Sequence, residues 1–202
     1  MQSQPIEGAD TPSPEAPRRR RTVVVSDVHL SQTHPASDGD PQWMRYRRRE
    51  LHPDADFVAL VDRLLAQHAG DALELVFNGD VLDYDAPWVK DGHSSFDEFP
   101  LTEVGCAEHT ARLVADHPGW FDATAKVLLH GHRAMFLCGN HDIELCWPGV
   151  RAVLRDDLVR RWRAQWDAAE RAGTTAGLVA PGKDAGDRVR FRAWFHVTED
   201  GV

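Results

Sequence analysis

The 202-residue sequence lacks the features that mark membrane, secreted and disulfide-rich proteins. No apolar run approaches the roughly 18 residues that a transmembrane helix needs. Residues 1–21 contain no apolar stretch of the kind found in a signal peptide, so we expect a cytoplasmic protein. Cysteine is scarce as well: Cys106, Cys138 and Cys146 are odd in number and lack Cys-x-x-Cys spacing. This argues against a disulfide framework or a zinc knuckle, and we expect ordinary packing residues.

Positive charge is also in short supply. The chain has 23 Lys and Arg against 32 Asp and Glu, which gives a formal net charge of −9. Because nucleic-acid binding usually depends on a basic face, this balance argues against nucleic acid as a partner. Two basic clusters, Arg18–Arg21 and Arg45–Arg49, fit either solvated surface or a rim that attracts phosphate. The plentiful carboxylates have a further use, since clustered carboxylates hold divalent cations.

The composition of the whole sequence, with 42% hydrophobic and 27% charged residues, is typical of a globular domain. Residues 1–21 begin with a segment rich in Pro, Ser, Glu and Ala and predict a disordered tail. Residues 22–202 predict one domain, which is long enough for a sizeable core.

Hydrophobic periodicity predicts that strands and helices alternate along the domain. Strands are predicted at 22–30, 72–80 and 133–142, with another beginning at 187. Helices are predicted at 54–70, 101–117, 119–131 and 149–173. The polar segment 81–100 is predicted to be a loop. This order indicates an α/β fold with right-handed crossovers, in which ligands collect at the carboxyl ends of the strands.

Three of the predicted strands end in residues of types that bind metal ions. These residues are Asp27 and His29, then Gly79-Asp80, then Gly139-Asn140-His141-Asp142. Residues i and i+2 of a strand face the same side, so Asp27 and His29 are predicted to point the same way. Two neighbouring buried polar side chains need a partner, and a metal ion is one. Each motif alone could arise by chance, but the three in this order favour a shared metal site.

Phosphate-ester chemistry accounts for these residue types. Two metal ions about 4 Å apart can clamp a phosphate ester, and a bridging carboxylate offsets their repulsion. Asp80 is the predicted bridge, with Gly79 allowing the sharp turn before it. Asp27 and His29 are predicted to bind one metal ion, and Asn140 to offer its amide oxygen to the other.

The residues after Asn140 are predicted to act on the substrate. His141 would be free to donate a proton or a hydrogen bond to the ester, and Asp142 could orient its imidazole. Asp83 is predicted to orient a neighbouring group without binding metal, whereas the sequence predicts no role for Asp85.

The segments SDVHL, NGDVLD and CGNHD, within roughly Thr22 to Asp142, together resemble the calcineurin-like metallophosphoesterase superfamily. SDVHLS is most similar to the UDP-diacylglucosamine pyrophosphohydrolase branch, while the long insert before Asp80 and the segment GNHDIELCWP depart from that branch. The resemblance implies an α/β/β/α sandwich and two divalent metal ions (Mn, Fe or Zn). It also implies a metal-bound hydroxide that attacks the phosphorus of a small-molecule phosphoester or pyrophosphate substrate.

The fourth and fifth motifs of that superfamily, a His and then Gly-His-x-His, do not follow. Gly131-His132 precedes the third motif and lacks the second His, and no Gly-His follows His196. We therefore expect an N-terminal portion of a longer enzyme, with the domain at 22–202 incomplete at its C-terminal end. Two alternatives stay open: a non-catalytic scaffold of the same superfamily, and a nuclease, which the acidic balance disfavours.

Overall fold

The computed structural model describes residues 19–34, 46–95, 99 and 101–193. Residues 1–18 of the predicted tail, 1–21, and His196 lie outside these residues. The described elements, in chain order, are β1 (Arg20–Val25), α1 (Asp54–Gln67), β2 (Ala72–Asn78), β3 (Trp88–Lys90), β4 (His93–Ser95), α2 (Glu103–Asp116), α3 (Pro118–Leu129), β5 (Arg133–Leu137), α4 (Pro148–Ala172) and β6 (Val189–Arg192). Within the described part of the chain, no helix is both long and apolar enough to cross a bilayer.

Strands β1, β2, β5 and β6 form one parallel sheet in that spatial order. Val24 lies beside Val76, and Val76 lies beside Met135. Helices lie in each connection between neighbouring strands, as parallel pairing requires. The predicted α/β class is confirmed, and the carboxyl ends of the four strands meet at one edge of the sheet.

The four helices pack against one face of this sheet. Phe77 of β2 and Phe136 of β5 face the helices, with ring centroids 4.6 Å apart. Phe57 of α1 stacks on Trp120 of α3 at 3.5 Å, and Phe77 lies 5.9 Å from Trp120. All belong to one buried cluster to which every helix contributes. This packing fixes the strands, and with them the loops that leave the carboxyl edge.

Several elements differ from the predictions. Strand β1 begins at Arg20, inside the predicted tail, and strand β2 ends at Asn78, before Gly79 and Asp80. Strand β1 ends at Val25, so Asp27 and His29 lie in the loop that follows, and their predicted placement on the strand was wrong. Strand β5 likewise ends at Leu137, before the third motif. The segment predicted as a loop contains the antiparallel hairpin of β3 and β4. The α/β/β/α sandwich stays a prediction, because the described residues contribute one parallel sheet and this hairpin.

Candidate metal centre

The loops that follow β1 and β2 run side by side beyond the strands. The amides of Val28 and His29 both donate hydrogen bonds to the carbonyl oxygen of Asp80, each at 2.9 Å. Leu30 then forms a parallel bridge with Leu82. These backbone bonds, and not a continuing strand, hold the first motif against the second.

Three of the predicted metal ligands have a left-handed backbone. The φ angles are 55° at Asp27, 53° at His29 and 53° at Asp80. Positive φ is uncommon for residues that carry a Cβ, although Asp and His adopt it more readily than most. Such conformations cost on the order of 1–3 kcal/mol each and cluster at functional sites. Their coincidence with three predicted ligands supports a site at this edge.

The side chains of these loops form one cluster of possible metal ligands. Asp27, His29 and Asp80 each offer a ligand atom, and the three atoms lie within 4.8 Å of one another. His29, Asp83 and His141 satisfy the same criterion. Because His29 belongs to both groups, five carboxylate and imidazole side chains are contiguous. Carboxylate and imidazole ligands suit Mn, Fe and Zn, so the donor set fits the predicted metal ions.

The imidazole of His141 lies between two carboxylates. Its Nδ1 is 3.3 Å from Oδ1 of Asp83 and 3.2 Å from Oδ2 of Asp85. The ring also meets that of His29 edge to face, with centroids 4.7 Å apart. If Nδ1 donates its proton to these carboxylates, Nε2 is the nitrogen left to act on a ligand. Asp83 is buried and touches both histidines, whereas Asp85 is exposed.

Asp142 occupies a different position from the one predicted. Its carboxylate is fully buried and accepts hydrogen bonds from the amides of Val81 at 2.9 Å and Gly139 at 2.5 Å. Burial raises the pKa of Asp142, and the backbone hydrogen bonds oppose that rise. The proposed orientation of His141 by Asp142 is therefore corrected: Asp83 and Asp85 contact that imidazole, and Asp142 joins two loops.

Asp80 and Gly139 pack directly against each other. The amide of His141 donates to Oδ1 of Asp80 at 2.9 Å, so the third loop is anchored on that carboxylate. A Cβ on Gly139 would overlap the Asp80 side chain, and one on Gly79 would lie 3.0 Å from the Cα of Gly139. Asn140, between these contacts, is exposed. The glycines of both motifs are thus needed for close approach of the loops.

A second cluster, formed by His52, Asp54 and His117, contacts the loop that follows β1. His117 is buried, with Nδ1 2.9 Å from Oδ2 of Asp54 and Nε2 2.8 Å from the carbonyl oxygen of Ser31. Each ring nitrogen of His117 thus lies beside an oxygen that can accept a hydrogen bond from it. His52, Asp54 and His117 meet the distance criterion for a metal group, but these hydrogen bonds already occupy His117. The contact between Asp54 and His117 could not be predicted from the sequence, because the two residues are 63 positions apart.

The basic cluster Arg45–Arg49, which precedes α1, contains a buried arginine as well as an exposed one. Arg47 is fully buried and donates to the carbonyl oxygen of Pro87. Arg49 is exposed and lies 3.5 Å from Asp116, and Arg45 lies outside the described residues. Arg47 therefore helps to hold the segment that precedes the hairpin.

Comparison of the chain with protein-family models, with curated proteins and with solved structures finds no match in any of the three. The resemblance to the metallophosphoesterases therefore stays a prediction from the sequence motifs.

Proposed function

We propose that this protein is a metal-dependent phosphoester hydrolase of the calcineurin-like metallophosphoesterase type. The observation that carries the proposal is the convergence of three strand-end loops on one cluster. Asp27, His29 and Asp80 offer ligand atoms within 4.8 Å of one another, and His141 lies against His29.

The donor set suggests how two divalent ions would be held. Asp27 and His29 would bind one ion, Asp80 would bridge, and Asn140 would offer its amide oxygen to the other. Oδ2 of Asp83 lies 3.9 Å from Nδ1 of His29, so Asp83 could bind the same ion or orient the His29 ring. Divalent ions, when bound, polarise phosphoryl oxygens and lower the pKa of water.

His141 would act on the leaving group of the ester. Asp83 and Asp85 hold its Nδ1 side, which leaves Nε2 to donate a hydrogen bond or a proton to the departing oxygen. The partly exposed ring and the exposed Asp27 keep this edge accessible to a small-molecule phosphoester.

The proposal includes the α/β/β/α sandwich of that superfamily. The face of the sheet opposite the helices carries Val76 and Met135, which are buried, and Val24, which is 58% exposed. An apolar sheet face of this kind is suited to packing against a second sheet.

Hydrolysis of bis(p-nitrophenyl) phosphate and p-nitrophenyl phosphate by the full-length protein with added Mn²⁺ tests the proposal. We expect Asp80→Ala to abolish Mn²⁺-dependent hydrolysis, because the carboxylate would help to hold the ions and it anchors the third loop. Asp62→Ala is the matched control, since Asp62 is exposed and pairs with Lys126 on the helices. Retained activity in Asp80→Ala would show that hydrolysis does not require Asp80.

His141→Ala separates catalysis from metal binding. We expect turnover to fall by about 100- to 10,000-fold, the usual contribution of an acid–base group, while metal content changes little. Loss of bound metal in this variant would instead identify His141 as a ligand.

A further inference from the structure

Cys138 and Cys146 frame the loop that carries the third motif. Cys138 directly precedes Gly139, and Cys146 ends the 3₁₀ turn Ile143–Cys146. Their Sγ atoms are 3.4 Å apart. A disulfide bond is about 2.05 Å long, so the sulfurs need to approach by only roughly 1.4 Å. The thiol of Cys146 is exposed and that of Cys138 is half-buried.

Backbone contacts impose this proximity at both ends of the loop. The amide of Cys138 donates to the carbonyl oxygen of Arg192 at 3.2 Å, which holds it beside β6. The amide of Leu145 donates to the carbonyl oxygen of Asp142 at 3.0 Å, which forms the turn before Cys146. The thiols are therefore pre-positioned by the fold, which raises their effective concentration towards each other.

We propose that Cys138 and Cys146 form a reversible disulfide that closes a ring around the loop carrying His141. The oxidant is a peroxide such as hydrogen peroxide. The sulfur of exposed Cys146 attacks one peroxide oxygen and breaks the O–O bond, which yields a sulfenic acid and one water. The sulfur of Cys138 then attacks the Cys146 sulfur and releases a second water. The two thiols lose two electrons, and the peroxide gains them.

A dithiol reverses the reaction. One of its sulfurs attacks the disulfide, its second sulfur completes the exchange, and both cysteine thiols are restored as the reductant becomes a disulfide. The inference is independent of the proposed metal centre, because the cysteines alone carry it.

Tryptic fragments distinguish the cross-linked chain from the reduced chain. Both cysteines lie in the fragment 134–151, because no Lys or Arg separates them, whereas buried Cys106 lies in another fragment. The reduced full chain is treated with hydrogen peroxide in the presence of EDTA, blocked with iodoacetamide under denaturing conditions and digested without reductant. We expect fragment 134–151 to carry no alkyl group and to lack two hydrogen atoms, with Cys106 alkylated. Dithiothreitol before blocking restores two alkyl groups.

Two controls make the result decisive. Cys138→Ser should leave the sulfenic acid of Cys146 to be trapped by dimedone, and Cys146→Ser should give no cross-link. The native chain should form the cross-link at least about 10-fold faster than the chain in urea, because the fold positions the thiols. Equal rates in the two states, or disulfides between chains in place of the internal one, would overturn the proposal.

Discussion

Asp80 lies in the second loop and connects it to the first and third loops through two different parts of the residue. Its carbonyl oxygen accepts from the amides of Val28 and His29, and its carboxylate accepts from the amide of His141. The backbone of Asp80 is left-handed, with a φ angle of 53°. Its carboxylate contacts the third loop, while its carbonyl contacts the first. Asp80 is therefore a structural centre of this edge as well as the proposed bridging ligand.

Gly139→Ala tests the close contact with that carboxylate. The added methyl group would overlap the Asp80 side chain and backbone, so the loops must separate. We expect a loss of about 1–3 kcal/mol in the free energy of unfolding, measured by urea denaturation, as for other overpacked sites.

Gly182→Ala is the matched control for this substitution. A Cβ on Gly182 would meet nothing within 4 Å, so the same chemical change should leave stability nearly unaltered. Equal stability of Gly139→Ala and Gly182→Ala would contradict the contact between Gly139 and Asp80.

Residue types at the site were predictable, but their geometry was not. Asp27, His29 and Asp80 stand out because polar residues follow apolar strands. Their positive φ angles arise from hydrogen bonds between loops that are distant in sequence, which no local pattern reveals. The contact of Asp142 with the amide of Val81 was missed for the same reason.

At the scale of elements, one carboxylate joins α1 to α3. Asp54, the first residue of α1, accepts from the amide of Trp120 at 3.1 Å and from Nδ1 of His117 at 2.9 Å. Trp120 lies in the first turn of α3, where amides have no partner within the helix. Since His117 also donates to the carbonyl oxygen of Ser31, this junction supports the loop of the first motif.

Asp54→Asn should weaken this junction in a pH-dependent way. Burial raises the pKa of Asp54, but hydrogen bonds from His117 and Trp120 lower it by more, so the folded-state pKa lies below the ordinary value. The stabilisation is therefore present above about pH 4, the unfolded value, and is lost as pH falls through the folded pKa. Near neutral pH we expect a loss of about 2 kcal/mol in the free energy of unfolding.

Urea denaturation of the chain and its variant across pH 2 to 7 measures this effect. The difference in stability should shrink as the pH drops below about 4. Asp56→Asn, an exposed change in the same helical turn, should show little loss. A difference that persists unchanged at low pH would contradict the role of the Asp54 carboxylate.

The long elements were predictable and the short ones were not. Helix α1 follows from Phe57, Val61 and Leu65, which recur at helical spacing and are buried. The hairpin was missed because β3 and β4 have three residues each, too few for alternation to be visible. The sulfur pair was missed because Cys138 and Cys146 meet only through the 3₁₀ turn between them.

At the scale of the whole molecule, the sheet determines where chemistry can occur. All four strands run parallel, and the helices cover one face, so the loops at the carboxyl edge are brought together. A formal net charge of −9 also favours the approach of divalent cations. The alternation of strands and helices made this architecture predictable, whereas a second packed sheet depends on contacts that alternation does not specify.

Equilibrium dialysis of the full chain against Mn²⁺ determines whether the carboxyl edge of the sheet holds a metal centre. We expect saturable binding that Asp80→Asn weakens by at least about 10-fold. Loss of a metal ligand should reduce affinity at least as much as loss of a residue that only contacts a ligand. Asp62→Asn removes the same charge from an exposed helix position and should bind as the unaltered chain does. Equal binding by Asp80→Asn and Asp62→Asn, or no saturable binding at all, would contradict a metal centre at this edge and favour a non-catalytic scaffold.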